Sequence, residues 1–104
     1  MAARLIWSAL ALQQKKEIFD YWNERNKSKI YSRKLNKLFN DAVELILSHP
    51  KLGRKTDFQN VRLKIVRDYW LAYRIQKDQI QILTIWDTRR NPDKFGNLLK
   101  SFRE

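Results

Sequence analysis

The spacing of apolar residues along the chain changes from helical in the first half to alternating in the second. After a short apolar segment, Arg4 to Ser8, apolar side chains recur every three or four positions from about Ala9 to Arg25. The same spacing returns at Tyr31 and continues until Pro50, which cannot continue a helix. We therefore predict a first strand, a helix capped by Ser8, and a second helix. Because the connecting loop is short, the two helices should form an antiparallel hairpin.

After residue 60 the period becomes two, which is typical of strands. The segment from Leu52 to Asn60 has no periodicity and is predicted as a loop, with Gly53 as its flexible point. Three strands joined by tight turns are predicted at Val61 to Val66, Tyr69 to Gln76 and Gln79 to Trp86. Pro92 suits the first turn of a short terminal helix. The order predicts one α+β domain over residues 1–104: an N-terminal strand, a helical hairpin, a three-stranded antiparallel meander and a short C-terminal helix.

Alternation within the first meander strand separates two faces. Val61, Leu63 and Ile65 form an apolar face, and Arg62 and Lys64 lie on the other. As exposed groups, the two basic residues are expected to contribute little to stability. The apolar set is predicted to pack on the helical hairpin through Leu35, Leu38, Ala42 and Leu45.

Composition adds a strong positive charge. The chain has 22 Lys and Arg against 11 Asp and Glu, a net charge of +11, which needs an acidic counterpart. Basic residues two apart on a strand are about 6.5 to 7 Å apart, comparable to phosphate spacing in nucleic acid, and an aromatic ring beside arginine can stack on a base. The candidate target-binding or nucleic-acid-binding residues are Arg62, Lys64, Arg67, Trp70, Arg74, Arg89 and Arg90. Trp70 and Arg74 should share the outward face of their strand. The alternative is that the basic groups only solvate a sheet face and that the tryptophans belong to the core.

The sequence lacks the residues that several kinds of chemical site require. The chain has no cysteine, one histidine and two glycines, so neither a metal site nor a glycine-rich phosphate loop is expected, and no cofactor is implied. His49 stands at the end of the second helix and is predicted to cap it. No apolar run approaches the roughly 18 residues that span a bilayer, and the N-terminus lacks a signal-peptide pattern. We expect a cytoplasmic protein without a membrane partner.

Three strings, in this order and at these separations, resemble the RelE/ParE superfamily of small basic toxins. They are HPKLGR at 49–54, VRLKIVRDYWLAYRI at 61–75 and ILTIWDTRRNP at 82–92, and the resemblance extends from about Arg4 to Phe102. It implies the toxin of a bacterial type II toxin-antitoxin module, of the plasmid-stabilisation kind, neutralised by a cognate acidic antitoxin. RelE-like members cleave mRNA on the ribosome, whereas ParE-like members inhibit DNA gyrase.

Individual residues bear on the choice between these branches. The RelE-like pattern implies a catalytic set of Arg62, Lys64 and Arg89. Two positions depart from that pattern, because Trp70 stands where a functional arginine is usual and Phe95 where a tyrosine is usual. These departures favour the ParE-like branch, which is not an enzyme of RNA cleavage. A ribosome-dependent endoribonuclease is the alternative, and a non-toxic nucleic-acid-binding accessory protein with the same fold is a third reading.

Overall fold

The computed structural model describes residues 4–102, and its elements follow the predicted order with one addition. The helices and strands are β1 (Arg4–Trp7), α1 (Ala9–Asn26), α2 (Ile30–Ser48), β2 (Arg54–Lys55), β3 (Val61–Val66), β4 (Tyr69–Gln76), β5 (Gln79–Asp87) and α3 (Pro92–Lys100). The addition is β2, a two-residue strand antiparallel to β3 within the segment predicted as loop. The prediction missed it because two residues carry no period.

The strands form one sheet in the order β1-β5-β4-β3-β2. β1 is parallel to β5, and the other neighbours are antiparallel. The meander turns lie at the predicted positions, with Arg67 at φ 56° in the left-handed region. In β5 the register shifts beside Ala72 and Tyr73, whose partners are Thr84 and Ile82, so Leu83 is left without a direct partner at this bulge.

The hairpin is antiparallel, as predicted. Phe19 meets Phe39 at a ring-centroid distance of 6.2 Å, and Trp22, later in α1, meets Tyr31, earlier in α2, at 4.8 Å. Ser8 caps α1 as predicted, since its Oγ accepts from the backbone N–H of residue 11 at 2.9 Å. The same hydroxyl donates to the carbonyl of residue 83 at 2.7 Å, which fixes the start of α1 to the sheet.

The second helix, α2, ends at the predicted position. His49 is the C-cap, and its backbone N–H donates to the Leu45 carbonyl at 2.9 Å. Pro50 then begins a single 3-10 turn, Pro50–Leu52. No helix in residues 4–102 is long and apolar enough to cross a membrane.

Both faces of the sheet are apolar, and this corrects the predicted packing of β3. The hairpin covers one face, whose buried residues include Leu35, Phe39, Ile46, Leu71, Tyr73, Ile80 and Ile82. The C-terminal helix covers the other, whose buried residues include Val61, Leu63, Ala72, Leu83, Trp86, Phe95 and Leu99. Val61 and Leu63 therefore pack towards α3 and not on the hairpin, whereas Ile65 is exposed and belongs to neither core. Alternation assigns residues to two faces, but it does not tell which face a helix covers.

Candidate functional site

The seven candidate residues do not form one surface. Arg62 and Lys64 share a face, as predicted, but their cross-strand partners are Tyr73 and Leu71, which belong to the core under the hairpin. Trp70 and Arg74 share the opposite face, because their partners on β3 are Ile65 and Val61. That face is covered in part by α3, so it is not the open, outward face that we predicted. Arg67 lies in the exposed β3–β4 turn, and Arg89 and Arg90 follow β5.

Arg62 holds the backbone between α2 and β2. One of its terminal nitrogens, Nη1, donates to the Lys51 carbonyl at 3.0 Å and to the Gly53 carbonyl at 2.8 Å. A guanidinium bound to two carbonyls closes a loop that has little regular structure of its own. From these two hydrogen bonds we now expect Arg62 to stabilise the loop, in contrast to our expectation from the sequence.

Tyr73 supports the same loop from inside the core. Its side chain is fully buried, and its hydroxyl accepts from the Gly53 N–H at 2.9 Å and donates to the Pro50 carbonyl at 2.7 Å. Burial raises the pKa of the Tyr73 phenol, so it remains a neutral donor. Gly53 has φ −68°, which any residue can adopt, so the position does not need the backbone freedom of glycine. Its importance is its lack of a side chain, because a Cβ there would meet the Tyr73 ring and hydroxyl.

The residues proposed for RNA cleavage are far apart. Arg62 is level with Ile82 across β4, whereas Arg89 lies beyond Asp87, five residues further along β5. Along the strand direction, the backbone at Asp87 is therefore about 16 Å from the level of Arg62. Lys64 lines a groove between α2 and β3, with a volume of about 270 Å³, on the hairpin face. The structure thus does not bring the three basic residues of the candidate catalytic set to one point.

The two departures from the RelE-like pattern, Trp70 and Phe95, are in contact with each other. Phe95 is buried, and its ring centroid lies 5.2 Å from that of Trp70 and 5.3 Å from that of Trp86. The three rings attach α3 to the sheet. Trp86 is buried as predicted from its strand, and the Arg90 guanidinium lies over its ring at 5.8 Å from the centroid.

Arg89 and Arg90 line a cleft of about 530 Å³ between α1 and the ends of β4 and β5, which we call the α1–β5 cleft. Arg89 is bound to Asp87 through two side-chain contacts, Nε to Oδ1 at 3.0 Å and Nη2 to Oδ2 at 2.8 Å. These hydrogen bonds hold the pKa of Asp87 below its usual value. Carboxylate and guanidinium thus fix each other at the mouth of the cleft.

Three uncharged polar residues of this cleft were missed in the sequence. Tyr69 is 2% exposed, and its hydroxyl accepts from Trp22 Nε1 at 2.9 Å. Gln14 Oε1 accepts from the Thr84 hydroxyl and from the Ile85 N–H, and Tyr21 is 46% exposed on α1. Tyr69 faces Asp87 directly across the β4–β5 ladder, a proximity that a register prediction gives. Nothing in the sequence indicates that α1 passes over this end of the sheet.

Among residues 4–102, no group of three or more His, Cys, Asp or Glu residues is arranged to hold a metal ion.

Comparison with known proteins gives one family. The model of the ParE toxin of type II toxin-antitoxin systems, parDE, matches residues 5–92, and the match ends where α3 begins. No curated protein matches the chain. Among solved structures, a chain described as "Chromosomal ParDE TA system from P. aeruginosa" is similar with a TM-score of 0.69 and 19% sequence identity, covering 81% of this chain and 94% of that chain. At this identity the structural similarity shows a shared fold.

Proposed function

This chain belongs to the ParE toxin family of type II toxin-antitoxin systems, and on that premise we propose that it inhibits DNA gyrase and is neutralised by a cognate antitoxin. Both events would take place in the cytoplasm, where the DNA and its topoisomerases are found. Family membership supports the toxin role, and the separation of the basic residues supports the choice of gyrase over mRNA.

The observation that carries this choice is that the candidate catalytic residues, all within the described residues 4–102, do not converge on one point. RNA cleavage through the 2′-hydroxyl needs a base, an acid and cations around one phosphate. Arg62 is bound to loop carbonyls, and Arg89 is bound to Asp87. The rings of Trp70 and Phe95 pack together, and Phe95 has no hydroxyl to serve as a proton donor. Inhibition through a protein–protein interface needs no such arrangement.

An antitoxin segment of acidic and apolar character fits the groove between α2 and β3. Leu38, Ala42 and Val66 line the groove together with the cations Lys64 and Arg67. Asp41 also lines it, but its carboxylate is paired with Lys37 at 2.9 Å. Two large apolar residues of the lining are open to a partner, because Leu45 is 44% exposed and Ile65 is 53% exposed. A disordered acidic segment that folds on binding can bury these residues and pair with the two cations.

Induced expression in growing bacteria tests the proposal. DNA supercoiling and protein synthesis are followed over time after induction, with Leu35→Asp as a folding-defective control, since this residue is fully buried. We expect plasmid relaxation or DNA breaks before any loss of translation. Early mRNA cleavage would overturn the gyrase proposal in favour of the nuclease. Normal growth, with no acidic reading frame beside the gene, would instead favour the accessory protein.

A further inference from the structure

Several hydrogen-bond donors in the α1–β5 cleft have no acceptor among residues 4–102. The Tyr69 hydroxyl accepts from Trp22, but its own proton has no acceptor among residues 4–102. Gln14 uses its carbonyl oxygen for two protein donors, which leaves its amide group without a partner in the same described range. Arg90 also lines the cleft, and its guanidinium has no hydrogen-bond acceptor among residues 4–102. A ligand rich in acceptors would satisfy these donors.

We propose that this cleft binds a carboxylate group attached to an apolar side chain or segment, and that the natural source is the acidic antitoxin. The identity of the source rests on the function proposed above, whereas the carboxylate site rests on the cleft itself.

The charges of the lining favour a carboxylate over a phosphate group. Arg89 is already paired with Asp87, so Arg90 is the cation left to meet a ligand. Glu17 lies on the α1 side of the same cleft and opposes a second negative charge. The four charged residues of the lining sum to zero. A carboxylate monoanion therefore meets less repulsion here than a phosphate dianion.

The walls of the cleft explain why the ligand needs an apolar part. Leu10 and Ile18 on α1 and Ile85 on β5 line it, and Tyr21 adds a half-exposed ring. A volume of about 530 Å³ accommodates two or three side chains, and it lies within the range of roughly 300 to 1,000 Å³ that is usual for ligand sites.

The position of the cleft connects it to the α2–β3 groove. Val66, Tyr69 and Asp87 are consecutive cross-strand partners on β3, β4 and β5. The groove at Val66 and the cleft at Asp87 therefore lie at the same end of the sheet, about 10 Å apart. An extended antitoxin segment of three or four residues spans this distance, so one segment can occupy both.

The test uses small probes on the full-length chain at low salt. 3-Phenylpropanoate, its neutral amide and phenyl phosphate are titrated into ¹⁵N-labelled protein, and the Gln14 side-chain amide and Arg89 Nε signals are followed by NMR. The same titrations are made with Arg90→Gln, Tyr69→Phe and a charge-matched control, Lys77→Gln, at an exposed turn at the other end of the sheet.

We expect 3-phenylpropanoate to bind with a Kd on the order of 1 mM, and the amide at least about tenfold more weakly. Arg90→Gln should weaken carboxylate binding by about the same factor, while Lys77→Gln leaves it unchanged. If Tyr69→Phe fails to fold, the comparison of Arg90→Gln with Lys77→Gln still tests whether the carboxylate binds in this cleft. Equal affinity for acid and amide, tighter binding of phenyl phosphate, or shifts confined to another surface would each overturn the proposal. Carboxylate binding by a protein without effect on gyrase would refute the proposed function and leave the site intact.

Discussion

Gly53 provides the sharpest test of how the loop after the hairpin is built. A Cβ at this position would lie 2.8 Å from the Leu63 carbonyl oxygen and closer still to the Tyr73 hydroxyl. The backbone angles, φ −68° and ψ 160°, suit any residue. Gly53→Ala should therefore destabilise the protein through collision alone, by about 1 to 3 kcal/mol. Gly96, in α3, has no atom within 4 Å of an added Cβ, so Gly96→Ala should stabilise by about 0.5 to 1 kcal/mol.

The nearest colliding atom, the Tyr73 hydroxyl oxygen, can be removed by a second substitution. Tyr73→Phe leaves the Gly53 N–H and the Pro50 carbonyl without their partner, which should cost about 1 to 3 kcal/mol. In the double variant the hydroxyl that would meet the new methyl group is absent, although the Leu63 carbonyl oxygen and the ring carbon Cε1 of residue 73, each 2.8 Å from the added Cβ, remain. The double variant should thus be more stable than the sum of the single changes predicts, by about 1 kcal/mol or more.

Urea unfolding followed by tryptophan fluorescence measures the free energy of unfolding of the wild type and of these four variants. Fluorescence reports unfolding because Trp22 and Trp86 are among the packed rings. Two results would refute the reasoning. One is a Gly53→Ala variant as stable as Gly96→Ala. The other is strict additivity in the double variant, which would mean that the hydroxyl of Tyr73 is not what excludes a side chain at Gly53.

Three further predictions are measured by the same unfolding assay. Arg62→Ala should cost about 1 to 2 kcal/mol because two carbonyls lose their donor. Lys64→Ala should change stability by less than about 0.5 kcal/mol, because the contact of Lys64 with a carbonyl is 3.5 Å long. Equal effects of the two changes would contradict the role of Arg62 in the loop. Leu35→Ala should cost about 2 to 5 kcal/mol and Leu45→Ala less than about 1, because the first is fully buried and the second is 44% exposed; the reverse order would contradict the packing. Because the folded pKa of Asp87 is lowered, its stabilisation is present above its unfolded pKa of about 3.9 and is lost as the pH falls through the folded value. Asp87→Asn should thus be less stable than wild type at pH 7, by under about 1 kcal/mol since the pair is partly exposed, and the difference should vanish in acid; a constant difference would contradict it.

Much of the fold could be predicted because most of its elements are long and periodic. The hairpin, the three meander strands and α3 follow from apolar spacing and from Pro50 and Pro92. The side of the sheet on which each helix lies could not be predicted, because β3 presents Val61 and Leu63 to one helix layer and Val66 to the other. Both layers need an apolar partner, and the strand satisfies both.

The candidate site was less predictable for a related reason. The basic residues of the meander were expected to share a surface. Lys64 on β3 and Arg74 on β4 instead lie on opposite faces of the sheet. Charge also does not distinguish a residue that binds a partner from one that binds its own loop, as Arg62 does. The α1–β5 cleft depends on where α1 crosses the sheet, which the sequence of α1 does not encode locally.

The central claim, that this ParE-family chain acts on gyrase, is tested most directly with purified components. Wild-type protein is added in parallel to a DNA supercoiling reaction containing gyrase and to a translation reaction containing ribosomes and a defined mRNA. We predict inhibited supercoiling or trapped DNA breaks, with the mRNA intact. Ribosome-dependent cleavage of the mRNA, with supercoiling unaffected at the same concentration, would contradict it.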